Sequence, residues 1–330
     1  MANRKFWLLK LVPNIRFGRW LLGAILAPVL LVIFNFGVVD HSSDTTPAIF
    51  FSLIIAYIIP MFSFITEKSQ QALTELRPIL DLNEQQFENS WGKLNSSSAG
   101  ATSLQILGGL SLGAAHLSYV RGSLSAAFAD AIGSVEGAAS TVGALMVWMI
   151  MTNVISMLVR QNKLFASLGA KHVQISLLSP RKLLPFARVS ISSSLAVIGA
   201  LALFPLMSIE SGVNLAEILP GAIATLIPLI AIFIIPVWPV HKRLALIKEQ
   251  EMANLDRRIE DCTSASSNLA SDPILLEKIS PLISYRQTIS QVSTWPFDAG
   301  VVTRLSFYLI IPPLTWAGAA LIENLVDSVI

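Results

Sequence analysis

Residues 160–188 read RQNKLFASLGAKHVQISLLSPRKLLPFAR: six Lys/Arg and no Asp or Glu, flanked by apolar runs at 141–159 and 191–209. This stretch constrains the chain more than any other. Short loops rich in Lys and Arg stay on the cytoplasmic side of a membrane. A segment facing lipid must bond its own backbone groups, so apolar runs of this length enter as helices. With 160–188 held inside, the direction of every other apolar run follows.

Seven runs read as spans: 20–39, 47–66, 104–120, 141–159, 191–209, 218–240 and 304–322. Charged residues make up 13% of the chain, about half the share in soluble domains. The third run is the least apolar and is rich in Gly and Ala. It is placed by parity: unless it crosses, or 104–140 re-enters in a paired way with the same parity, the next span would run outward and carry 160–188 outside. Gly109–Gly113 and Gly133–Gly137 have the spacing that lets helix backbones approach closely. Residues 121–140, with Asp130 and Glu136, are expected to form an outer helix or loop. Of the 23 Lys/Arg, one (Arg121) falls in a proposed outer segment, the asymmetry that retention of positive charge produces.

The fold class that follows is all-α: a polytopic transmembrane bundle of about seven spans, N-terminus inside and C-terminus outside, with a cytoplasmic antiparallel helical hairpin. Five regions are expected. Residues 1–66 carry a basic segment and two spans; 67–101 form a cytoplasmic helix; 102–240 form the membrane bundle with the basic loop 160–188; 241–296 form the hairpin; 297–330 hold the last span. Residues 1–19 have five Lys/Arg and no acid, interleaved with Phe6, Trp7, Leu8 and Leu9. They read as a positive-inside flank, compatible with a basic surface helix. Leu73, Leu76, Leu80, Phe87 and Trp91 make one helical stripe. Ala245, Met252 and Ile259 repeat at seven, as in a coiled coil, as do Leu255 and Cys262, and Leu275, Ile279, Leu282, Ile289 and Val292 supply the facing helix. Asp298, after Pro296, is expected to cap the last segment. Pro78 leading to Trp91 and Pro281 leading to Trp295 hint at a repeat, read here as chance.

The chemistry is sparse. Cys262 is the single cysteine, and the four His have no metal-ligand spacing, so no metal or cofactor is expected. There is no phosphate loop or nucleophile elbow. His116, Asp130 and Glu136 are the only nucleus for an intramembrane enzyme, and enzymatic activity is not expected. Arg160, Lys163, Lys171, Arg181, Lys182 and Arg188 are candidate contacts for anionic lipid or phosphate. Expected partners are membrane lipids and a protein partner or second copy, reached through 67–94 and 241–295; nucleic acid is not among them. The function class is a non-enzymatic oligomeric scaffold or sensor of a bacterial inner-membrane type. The alternative is a channel or permease lined by the Pro-broken sixth and seventh spans, with Pro220, Pro228, Pro236 and Pro239 in the sixth.

Overall fold

The computed structural model describes residues 4–35, 45–204, 206, 215–264 and 273–296, together with 300, 303, 306–308 and 310. The seventh span at 304–322, the Asp298 cap and the outer loop at 210–217 lie largely outside the described residues. The chain is about 85% helical. Among the described residues four helices are long and apolar enough to cross a membrane: Thr46–Ile79, Val135–Lys171, Pro180–Leu201 and Ile223–Ser264. They mark the chain as a helical membrane protein.

A short antiparallel pair, β1 (Arg4–Lys5) and β2 (Ser96–Ser97), ties the N-terminus to the middle of the chain. The helices are α1 (Trp7–Lys10), α2 (Gly18–Phe34), α3 (Thr46–Leu76), α4 (Glu84–Asn95), α5 (Ala99–Val120) and α6 (Leu124–Gly133). They continue with α7 (Val135–Lys171), α8 (Leu184–Leu201), α9 (Leu215–Ile234), α10 (Trp238–Ser264) and α11 (Pro273–Gln291). Helix α2 has 17 residues, just short for a span, and α5 has 22 but is less apolar, with Gln105 and His116.

Local chemistry sets the breaks. Asn83 caps α4 with a full capping box, accepting from the Gln86 amide while its own amide donates to the Gln86 side chain. Ser98, Ser123 and Ser134 cap α5, α6 and α7 through their hydroxyls. These caps divide what the sequence suggested was continuous. The stripe from Leu73 to Trp91 is two helices, because Pro78 tightens the end of α3 into a 3-10 turn and Asn83 starts α4 afresh. The suggested repeat has no structural counterpart either: Pro78 ends a helix, whereas Pro281 lies inside α11.

Helix α3 runs antiparallel to α2 and α8 and parallel to α7, whose Gly143 lies by Phe51 and whose Gln161 bonds Thr66. Arg19 pairs with Glu67, setting α2 against α3. Tyr57 donates to the Ala196 carbonyl at 3.0 Å and Arg188 meets Glu75, setting α8 antiparallel to α3. Gly109 and Gly113 seat α5 against α7: a Cβ at Gly109 would lie 2.7 Å from the Met149 Cα. Gly133, the start of the second such spacing, has no neighbour within 4 Å. Helix α5 therefore runs from the end marked by Ser96 to the end marked by Arg121, which pairs with Asp130 on α6 at 3.0 Å.

Two hydrophobic cores result. One fills the bundle, with Phe50, Phe51, Ile54, Phe62, Val147, Val154, Met157 and Ile232. The other exists because the helices outrun any bilayer. At 1.5 Å per residue, the 37 residues of α7 reach roughly 55 Å, against about 30 Å of hydrocarbon. The protruding ends of α3, α7 and α8 meet α4, α10 and α11 around Leu73, Leu76, Phe87, Phe165, Phe186, Leu244, Leu255 and Ile289. This second core forms a folded head at one end of the bundle.

Candidate functional site

The head is where the basic residues gather. Residues 160–188 are mostly not a loop: α7 continues to Lys171, and a 3-10 turn at Pro180–Leu183 leads directly into α8. Only 172–179 are irregular, and these are stitched down. Val173 bridges Leu80; the Asp81 amide donates to the His172 carbonyl at 2.7 Å and the Gln174 amide to Ile79 at 2.8 Å. Val173 and Leu177 are buried in the head core.

The six candidate cations separate into three groups. Arg160 faces inward, donating to the Ser96 carbonyl at 2.9 Å and so fastening α7 to β2. Lys163 and Lys171 are exposed on the last turns of α7. Arg181, Lys182 and Arg188 share one surface pocket of about 270 Å³ with Glu75, Pro78, Ile79, Leu184 and Pro185. Within it Arg188 grips Glu75 with two bonds, 2.7 and 2.9 Å. Arg181 and Lys182 have no acidic partner among the described residues.

The apolar side chains Phe6, Leu8 and Leu9 of the N-terminal flank are not on the surface. Phe6 is fully buried, its ring edge-on to Phe62 at 5.3 Å, and its amide donates to the Asn95 carbonyl at 2.8 Å. Leu8 and Leu9 join the bundle core. The segment is a strap inserted in the bundle, with its charges at the rim of a second polar pocket of about 270 Å³ lined by Lys5, Arg19, Thr66, Glu67 and Asn95.

Sequence reasoning missed a buried polar seam just below the head. Gln161 donates to the Thr66 hydroxyl at 3.1 Å and to the Leu94 carbonyl at 2.8 Å, with 1% of its surface exposed. Asn162, Ser69, Ser190, Ser193 and Ser194 are as deeply buried, and their side-chain oxygens have no hydrogen-bond partner among the described residues. The Arg188–Glu75 pair sets Ser69 level with Ser190, and Phe165 against Phe186 sets Asn162 level with the same turn. The serine run was visible as a string of small polar residues, but only the pairing of α3, α7 and α8 turns those hydroxyls inward.

Elsewhere the parts of an enzyme do not converge. Asp130 and Glu136 line a pocket of about 240 Å³ at the far end with Arg121, while His116 packs by Trp148 in a separate apolar cavity of about 40 Å³. Among the described residues no group of His, Cys, Asp or Glu has the arrangement of a metal site.

Comparison with family models, curated proteins and solved structures returns no match. The site is therefore read from its own chemistry.

In the head, Arg243 was also unforeseen. It donates to the Gly169 and Val173 carbonyls at 3.2 and 3.0 Å, neutralising the negative end of α7 and joining it to α10. Helices α10 and α11 then lie side by side with opposed directions. Arg286 pairs with Asp256, Lys248 donates to the Ser290 and Val292 carbonyls at 2.7 Å each, and His241 stacks on Trp295 at 3.9 Å. Of the positions repeating at seven, Leu255 is buried and Met252 packs on the head core, while Ala245 and Ile259 are half-buried; Val240 and Leu244, which the repeat did not pick out, are buried as well.

Proposed function

We propose that this protein is a multi-pass scaffold or sensor of a bacterial inner-membrane type, with no enzymatic activity and with its basic end in the cytosol. The membrane bundle anchors the head, and the head presents α10 and α11 to a protein partner or a second copy. The second hydrophobic core carries this reading. It holds the α10–α11 pair on the ends of α7 and α8, while Leu246, Leu276 and Ile283 remain about half exposed. Apolar side chains on an ordered, charged helix pair beyond the membrane are what a docking surface requires. The bundle interior supports the same reading, because the cavities among the spans are apolar and about 40 to 50 Å³.

The test is the triple variant L246E/L276E/I283E in the purified full chain. We expect unchanged helicity and thermal unfolding, with loss of the cross-linked higher species or partner adduct seen for the unaltered protein. Adducts of equal yield from the variant would overturn the reading.

The channel or permease reading draws support from the buried hydroxyl and amide seam on α3, α7 and α8 and from Pro220 and Pro228 inside α9. Flux of ions or small solutes into vesicles carrying the protein, abolished by S190L/S194L, would favour it over the scaffold.

A further inference from the structure

The pocket beneath α8 has two parts that fit one kind of molecule. Its polar part is cationic. Arg181 and Lys182 project from the turn before α8 without acidic partners among the described residues, and Arg188 is shared with Glu75. Three positive charges against one carboxylate leave a net attraction for an anion. Its apolar part continues along the helix. Leu184, Arg188, Ile191 and Leu195 recur at spacings of four, three and four, so they lie on one face of α8. Leu184 is 41% and Leu195 38% exposed, on a helix otherwise packed against α3 and α9.

We propose that this pocket binds an acidic phospholipid. Its phosphate is held by Arg181 and Lys182, and one acyl chain lies along Leu184, Ile191 and Leu195. A free phosphate would use the cations and leave the apolar stripe without purpose; a zwitterionic lipid would use the stripe and gain less from the charges. Headgroup oxygens also compete with Glu75 for Arg188, so lipid binding loosens the ion pair that sets α3 against α8. The site is independent of the scaffold reading, which concerns α10 and α11.

The test titrates delipidated full-length protein in mild detergent with phosphatidylglycerol and counts bound lipid by native mass spectrometry. Phosphatidylcholine with the same chains and inorganic phosphate serve as the other arms. We expect R181Q/K182Q to weaken phosphatidylglycerol binding about thirtyfold, the effect of two cations beside an anionic headgroup. R257Q/R258Q, with the same charge change on α10, should leave it unaltered. E75Q frees Arg188 and should tighten it several-fold. Equal binding by R181Q/K182Q and the unaltered protein would overturn the site. Displacement of the lipid by millimolar inorganic phosphate, or equal affinity for phosphatidylcholine, would overturn the assignment to an acidic lipid.

Discussion

At the residue scale, close packing and buried polar groups decide which positions tolerate change. Gly109 has no room for a side chain against Met149 and Trp148, while its neighbour Gly108 has nothing within 4 Å. Gly109→Leu is expected to push α5 off α7 and lower stability by about 1–3 kcal/mol, the usual range for overpacking. Gly108→Leu should leave thermal unfolding in detergent unchanged, and equal effects of the two would refute this packing. Gln161 makes two bonds from a fully buried position. Gln161→Leu keeps the volume but strands the Leu94 carbonyl, so a loss of about 1–3 kcal/mol is expected. Neither residue stands out in the sequence: a glycine pair is legible as a spacing, but which glycine is tight depends on the register of α5 on α7.

At the element scale, the N-terminal strap and the α10–α11 pair behave as separable units. Phe6 carries the strap, and Phe6→Ala should cost about 3–5 kcal/mol and expose residues 4–10 to protease, whereas Lys10→Ala should do neither. In the α10–α11 pair, the hydrogen bond from Arg286 holds the Asp256 carboxyl below its ordinary value. A depressed carboxyl stabilises the folded form above its unfolded value, and the contribution is lost as pH falls through the folded value. The α11 amides should therefore show flat protection from pH 5 to 8, after correction for intrinsic exchange, and lose it only in acid. In Asp256→Asn the acid-dependent step should be missing. The pair is exposed, so the effect on global stability is small. Apolar spacing made these two helices and part of their contact legible, in Leu255, Ile279 and Ile289; Val240 and Leu244 were not, because they are buried where α10 meets α7.

At the scale of the whole molecule, one end of the bundle collects the head, the strap and the basic residues, and the other collects Arg121, Asp130 and Glu136. This yields an accessibility map. In a Cys262→Ser background, Lys171→Cys and Lys93→Cys should react with an impermeant maleimide from one face of sealed vesicles. Ser125→Cys should react from the other. Labelling of all three from the same face would break the alternation of α5, α7 and α8.

Much of this plan is written in the chain. The long apolar runs dictate helices in a membrane, because a single continuous apolar segment can satisfy its own backbone in lipid only as a helix. The spacing of Gly109 and Gly113 points to the close approach of α5 to α7 that the fold displays. Tertiary structure alone decided the rest. It turned a predicted loop into helix ends, drew Phe6 into the bundle, divided six cations into an inward strut, two exposed lysines and a pocket, and joined α4, α10 and α11 to the ends of α3, α7 and α8 around one core. The reason is physical. Composition and period report what one segment needs from its surroundings, whereas burial and pairing depend on which distant segment arrives to meet that need.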